Sequence, residues 1–157
     1  MFREMRRIKQ LLSVEECEKV LREQPRGILS VNGDDGYPYG LPINFYYDEE
    51  NKKIFLHGGK KGYKVDALKA NPKVSFCVHD EGFRREGEWA LNIKSVIVFG
   101  RVRFIEDKEE CYDIMYRFGK KYFPTVEELE HEIKGVPHTL VIEIEIHHMT
   151  GKIVNES

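Results

Sequence analysis

The chain lacks most of the features that would settle its class at a glance. No window approaches the run of ~20 apolar residues that a membrane helix needs. Cysteine is scarce: Cys17, Cys77 and Cys111 are odd in number, widely separated and without a C-x-x-C pair, which excludes a disulfide scaffold or a zinc ribbon and points to reduced thiols. Neither sign of charge is in excess. With 25 lysines and arginines against 27 aspartates and glutamates, the formal net charge is −2, so a dedicated nucleic-acid binder is not expected. Neither the Walker A spacing nor the dinucleotide glycine fingerprint occurs, and there is no internal repeat or low-complexity tract. The opening stretch MFREMRRIKQLLS is basic but has no apolar signal-peptide core, so a cytoplasmic protein is expected. A length of 157 residues fits one domain, 1–157, with a modest core.

What is present is regular punctuation. Ser13-Val14-Glu15-Glu16 is a capping box, and the helix it starts is expected over Val14 to Glu23, with Cys17, Val20 and Leu21 on one face. Gly27 to Val31 and Tyr39 to Tyr47 read as strands around the turn Asn32–Gly36, and Lys53 to His57 as a third strand. A helix from Tyr63 to Ala70 is stopped by Asn71-Pro72. Val74 to Val78 and the long stretch Trp89 to Ile105 follow as strands, with Gly100 marking a bulge or bend. Asp107 and Thr125 each carry a glutamate three residues on, so each opens a helix. The first of these ends at Gly119 or at the Phe123-Pro124 step. Thr139 to His147 alternates as a half-buried strand. Six or seven strands with three or four helices make the fold mainly β (α+β), a small antiparallel barrel with peripheral helices.

The stretch from Ile54 to Lys64, IFLHGGKKGYK, carries the chemistry. A strand runs into a loop with three glycines and three lysines, and a helix begins beyond it. Glycines let backbone N–H groups crowd round an anion, lysines supply countercharge, and the helix start adds a favourable dipole. Residue types alone leave a solvated turn open as the alternative. Pro42, inside the strand Gly40 to Tyr47, interrupts a ladder and belongs at an edge or bulge, where backbone groups are free for a ligand. Ser95 places a lone hydroxyl before the apolar run Val96-Ile97-Val98-Phe99.

In order, G-x-P-x-N-F-x-Y-D, I-x-x-H-G-x-x-x-G-x-K, N-P-K-V-S-F and S-V-x-V-x-G resemble the FMN-binding split-barrel superfamily, which includes pyridoxamine 5′-phosphate oxidase. The nitroimidazole-resistance-type reductases are the most similar branch, and the resemblance covers roughly residues 5 to 152. It implies a six-stranded Greek-key split barrel that forms a homodimer, with FMN in the grooves between subunits. On that resemblance, Leu41, Pro42, Ile43 and Asn44 line the flavin ring, and His57 and Gly58 flank the ribityl chain. Lys61 and Lys64 bind the phosphate, with Gly62 and Tyr63 donating N–H groups, and Ser95 and Val96 approach from the partner subunit. The implied activity is an FMN-dependent oxidoreductase that reduces a small electron-poor substrate, a nitroaromatic or a quinone, with NAD(P)H as electron donor. The flavin carries the hydride chemistry, which explains why no triad or acid–base pair stands out, and catalytic side chains stay unassigned. Pyridoxamine 5′-phosphate oxidases close with an arginine-bearing segment, whereas this chain ends Gly151-Lys-Ile-Val-Asn-Glu-Ser157, so pyridoxamine phosphate is not the expected substrate. A non-catalytic flavin-binding module and a barrel adapted to haem or deazaflavin are the alternatives, with His57, His79 or His138 as haem ligands.

No metal site is expected. His147 and His148, as neighbours on a strand, should point to opposite faces. Trp89 is read as packing or as a lid over the flavin. The aromatic set Tyr112, Tyr116, Phe118, Tyr122 and Phe123 is read as mostly core, with one or two members walling a substrate pocket.

Overall fold

A computed structural model of the chain describes residues 1–156. Helix α1 (Val14–Glu23) starts at the capping box, with the Ser13 hydroxyl accepting from the Glu16 N–H at 3.2 Å and the Glu16 carboxylate accepting from the Ser13 N–H at 3.0 Å. Helix α2 (Tyr63–Ala70) stops before Pro72. Helices α3 (Lys108–Tyr122) and α4 (Val126–Ile133) are capped by Asp107 and Thr125, whose side chains accept from the N–H groups of Glu110 and Glu128. None of the described helices is long and apolar enough to cross a membrane.

Seven strands, β1 (Arg26–Asn32), β2 (Pro38–Asn44), β3 (Tyr46–Asp48), β4 (Lys53–Gly58), β5 (Lys73–His79), β6 (Leu91–Ile105) and β7 (Leu140–Glu156), form one antiparallel sheet in the order β2-β1-β5-β6-β7-β4-β3. The sheet curls into a half-barrel, of split-barrel type. The count is seven, not the expected six, because the predicted strand Tyr39 to Tyr47 breaks at Phe45. There the main chain bonds to α3 instead of to a neighbouring strand. The Phe45 N–H donates to the Tyr122 hydroxyl at 2.9 Å, and its carbonyl accepts from the Lys121 ammonium at 3.0 Å. The halves β2 and β3 therefore lie at opposite edges of the sheet although one residue separates them.

Inward side chains from the strands, including Leu29, Ile54, Leu56, Phe76, Val96, Val98, Ile142 and Ile144, form the main core. Cys17, Val20 and Leu21 of α1 and Ala67 and Leu68 of α2 complete it. A second cluster, Phe55, Ile105, Ile114, Phe118 and Val141, lies on the outer face of β4, β6 and β7 under α3. That cover explains why β7 is not simply half-buried. Val141 and Glu143 are sealed as well, with the Glu143 carboxylate held by Lys53 at 2.9 Å and Arg103 at 3.1 Å.

Gly100 marks an irregularity as read from the sequence, since the β6–β7 register shifts between Phe99 and Gly100. The extra residue sits on β7, where Phe99 pairs with His148 and Gly100 with Ile146. Core-facing parity changes from Ile142, Ile144 and Ile146 to Met149 and Ile153. His147 and His148 consequently share the outer face, which corrects the expectation that they point apart.

Candidate functional site

The end of β4 meets an opening in the sheet. On one side β4 pairs with β7 to its last residue, Gly58 opposite Leu140. On the other side β3 reaches only to Tyr46, opposite Phe55. The edge of β4 from Leu56 onward is thus left without a β3 partner, and the end of β2 at Asn44 comes close to it. On β2, Pro38 and Pro42 have the same parity in the β1–β2 register, opposite Asn32 and Ile28. Proline has no N–H to give a ladder, so this parity faces away from β1. The main-chain groups of Gly40 and Asn44 then point off the free edge. Leu41 and Ile43 pack their side chains on the core, and Pro42 is exposed. A strand edge with unused donors and acceptors beside an apolar wall suits the rim of a flat heterocycle.

The glycine–lysine loop sits at the same opening. Gly62, the residue before α2, has φ +132 and ψ 177, a conformation that side chains rarely adopt, and open space lies where its Cβ would be. It gives α2 no side-chain cap, so the first-turn N–H groups face outward uncommitted. The Lys64 ammonium leans over Gly58, where an added Cβ would stand 2.6 Å from Nζ. Burial lowers the Lys64 pKa, and among the described residues no carboxylate pairs with it. Lys61 is exposed beside it. Lys60 is diverted, donating to the Pro137 carbonyl at 2.9 Å. The Tyr63 hydroxyl accepts from the Asp34 N–H at 2.7 Å and its ring packs on Tyr39 with centroids 4.5 Å apart, which fastens the start of α2 to the β1–β2 turn.

His57 is half-buried, edge-on to Phe118 at 4.8 Å. Burial, and secondarily the charge of Lys64, lowers its pKa and favours the neutral imidazole. With Asn44 it lines a cavity of about 280 Å³ walled by α3 and α4 through Phe118, Tyr122, Phe123 and Leu129. The structure thus brings Asn44 and His57 to one cavity, with Gly58, Lys61, Gly62, Tyr63 and Lys64 on the adjoining loop.

It does not bring Ser95 and Val96 there. On β7 the partner of His57 is Val141, whereas the partner of Ser95 is Lys152, eleven positions further along the strand. Val96 is fully buried in the core, and β6 is paired on both sides, so Val96 has no side chain to offer a ligand. Ser95 shares the outer face with Ile97 and Phe99. Trp89, 75% exposed, lies at the same far end and lids nothing within its own chain.

The aromatics of α3 and its C-cap are less a part of the core than the sequence suggested: Phe118 alone is buried, Tyr116 is exposed, and three of the set, not one or two, reach a cavity. Phe118, Tyr122 and Phe123 wall the cavity, while Tyr112 lines a separate groove. Lys121 was not legible. Its ammonium lies 3.7 Å from the centre of the Phe45 ring, and burial pulls its pKa down to about 8. The only signal for it is the change from an aromatic stripe to Lys120-Lys121-Tyr122 at the helix end.

A family model described as pyridoxamine 5′-phosphate oxidase matches residues 13–153. No curated protein matches the sequence. Among solved structures, the chain is similar to a candidate 5-nitroimidazole antibiotic resistance protein from Bacteroides thetaiotaomicron, at 23% identity and TM-score 0.81, over 93% of this chain and 87% of that one. A FAD-binding protein from Mesorhizobium loti aligns at 24% identity and TM-score 0.66, over 92% and 97%. The flavocytochrome Anf3 from Azotobacter vinelandii aligns at 18% identity and TM-score 0.72, over 96% and 72%. At these identities the likeness establishes the fold.

Proposed function

Since the chain belongs to the pyridoxamine 5′-phosphate oxidase family, we propose that it is an FMN-dependent oxidoreductase acting on a small electron-poor acceptor, and not on pyridoxamine phosphate. The observation that carries this reading is Lys64, a half-buried ammonium with no carboxylate partner among the described residues, beside a glycine cradle and an uncapped helix start. A phosphate supplies the missing anion, and Lys61 and Lys64 with the N–H groups of Gly62 and Tyr63 give it charge-assisted hydrogen bonds. Lys64 keeps space above Gly58 only because residue 58 has no side chain. The ring then extends from His57 and Gly58 toward the free edge Leu41–Asn44, where main-chain groups hold its polar rim and Leu41 and Ile43 back it.

The chemistry such a cofactor supplies when bound is hydride exchange, taking a hydride from a reduced nicotinamide and delivering it, with a solvent proton, to a nitroaromatic or quinone. The chain's own part is to bind, orient and exclude water. The lack of any lysine or arginine lining the cavity among the described residues supports an acceptor other than pyridoxamine phosphate.

The site is completed by a second copy of the chain. Pro42, Ile28, Cys77, Ile97 and Thr150 form one row across five adjacent strands on the outer face. Ile28 is 41%, Ile97 39% and Phe99 42% exposed, an apolar surface of the kind homodimers cover. Ser95 lies beside Ile97 on this face, where a second copy would meet it.

Purified protein should be yellow, bleach with NADH or NADPH and regain colour with a nitroaromatic or quinone. Replacing Lys61 and Lys64 with alanine removes two charge-assisted contacts of about 1.5–3 kcal/mol each and should weaken FMN binding at least about a hundredfold. Unchanged FMN affinity in that variant would sink the phosphate assignment. Bound flavin without turnover on any acceptor would leave a flavin-binding module in place of the enzyme.

A further inference from the structure

The cavity beside His57 has a polarity that the flavin reading does not use. Its walls are apolar, from Met115, Phe118, Leu129, Ile133 and Val136. Of the polar groups on its lining, the Tyr122 hydroxyl is spent on Phe45 and Pro25, and the Thr139 hydroxyl donates to the Gly135 carbonyl at 3.2 Å. Three polar side chains remain uncommitted among the described residues: the Asn44 amide and the His57 imidazole on the strand side, and the exposed Glu132 carboxylate on α4. Lys64 stands beyond His57 at Gly58, committed to the phosphate in the reading above.

We propose that this cavity is the acceptor pocket, and that it admits uncharged single-ring arenes bearing a hydrogen-bonding substituent while turning away carboxylated and phosphorylated ones. The inference rests on the flavin reading for the identity of the neighbouring group, but its physical basis is the cavity itself. At about 280 Å³ it lies just under the usual range for small-molecule pockets, roughly 300–1,000 Å³, which suits one substituted ring. An uncharged polar substituent finds donors and acceptors in Asn44 and His57. An anion there loses its water, gains no cation from the lining and faces the Glu132 carboxylate. Burial and the charge of Lys64 both disfavour a positive charge on the imidazole.

The test is ligand binding by saturation-transfer NMR and equilibrium dialysis on the protein as purified, with 4-nitrobenzyl alcohol and 4-nitrobenzoate as a size-matched pair. The alcohol should bind at least tenfold more tightly. Glu132→Lys, an exposed substitution, should bring the two within about threefold. Ile133→Trp should fill the cavity and abolish binding of the alcohol. Equal binding of the pair by the native protein, no binding of either, or an unchanged preference in the Glu132→Lys protein would overturn the proposal. Binding does not require turnover, so the two readings fail separately. A colourless protein that prefers the alcohol refutes the flavin site and keeps the pocket. A flavin-loaded protein without the preference does the reverse.

Discussion

Replacing Tyr122 with phenylalanine removes one oxygen atom at the point where the sheet is interrupted. That hydroxyl accepts from the Phe45 N–H at 2.9 Å and stands 2.7 Å from the Phe45 carbonyl and 2.6 Å from the Pro25 carbonyl, to one of which it donates its single proton. Phe45 is fully buried, so its N–H would be left with no partner and no water. The Phe45 carbonyl keeps Lys121, and the Pro25 carbonyl lies at the exposed end of the group and recovers solvent. The aromatic ring is retained, so no cavity opens. The cost is one orphaned buried donor, about 1–3 kcal/mol, plus about 1 kcal/mol for the lost donated bond, or about 2–4 kcal/mol in all. In urea the unfolding midpoint should fall by roughly 1–2 M with the slope unchanged. Tyr116→Phe, on the same helix but at the surface, is the control and should stay within about 0.5 kcal/mol. If Tyr122→Phe also stays within that margin, the account of why the second strand breaks at Phe45 is wrong.

Stability should depend on pH with two opposing limbs. The Lys121 pKa is pulled down to about 8 from an ordinary 10.5 by burial, so between those values the native state holds fewer protons than the unfolded chain and stability rises with pH. Tyr122 is pushed up to about 12 from 10, so above pH 10 the native state keeps a proton the unfolded chain loses and stability falls. Denaturation midpoints should peak near pH 10, Lys121→Met should erase the rising limb, and a flat profile from 8 to 10 in the native sequence would refute the burial of that ammonium. Since Lys64 is one of the two causes that lower the His57 pKa, an anion seated on Lys64 should raise it. Titration of the His57 ring protons by NMR, with and without saturating inorganic phosphate, should show an upward shift that Lys64→Met abolishes.

The sequence disclosed most of the elements because their boundaries are written locally. Ser13, Asp107 and Thr125 cap the helices they were expected to cap, and Asn71-Pro72 stops α2 where a proline must. The strand break at Phe45 was hidden because its cause, Lys121 and Tyr122, lies more than seventy residues away. Faces on β7 were misjudged for two such reasons. Helix α3 covers Val141 while Lys53 and Arg103 enclose Glu143, and an extra residue at His147 reverses the alternation that a period-two reading extends. For the site, the loop and Asn44 were legible as residue types, and His57 as the end of a strand. The cavity was only half legible, since Leu129 and Val136 enter it from α4 and the turn beyond, where nothing in the local pattern distinguishes a pocket wall from core.

The pairing of β7 with both β6 and β4 also fixes the order in which this protein can be made. Two strands and three helices intervene between β4 and the strand that pairs with it. During synthesis the β3–β4 hairpin therefore leaves the ribosome with one edge unsatisfied, and so does β6, until Leu140 onward follows. Late, non-local strand pairing is slow and leaves edges open to other chains in the interval. A nascent chain stalled before Leu140 would expose both edges at once and present the quality-control machinery with a substrate that cannot bury them.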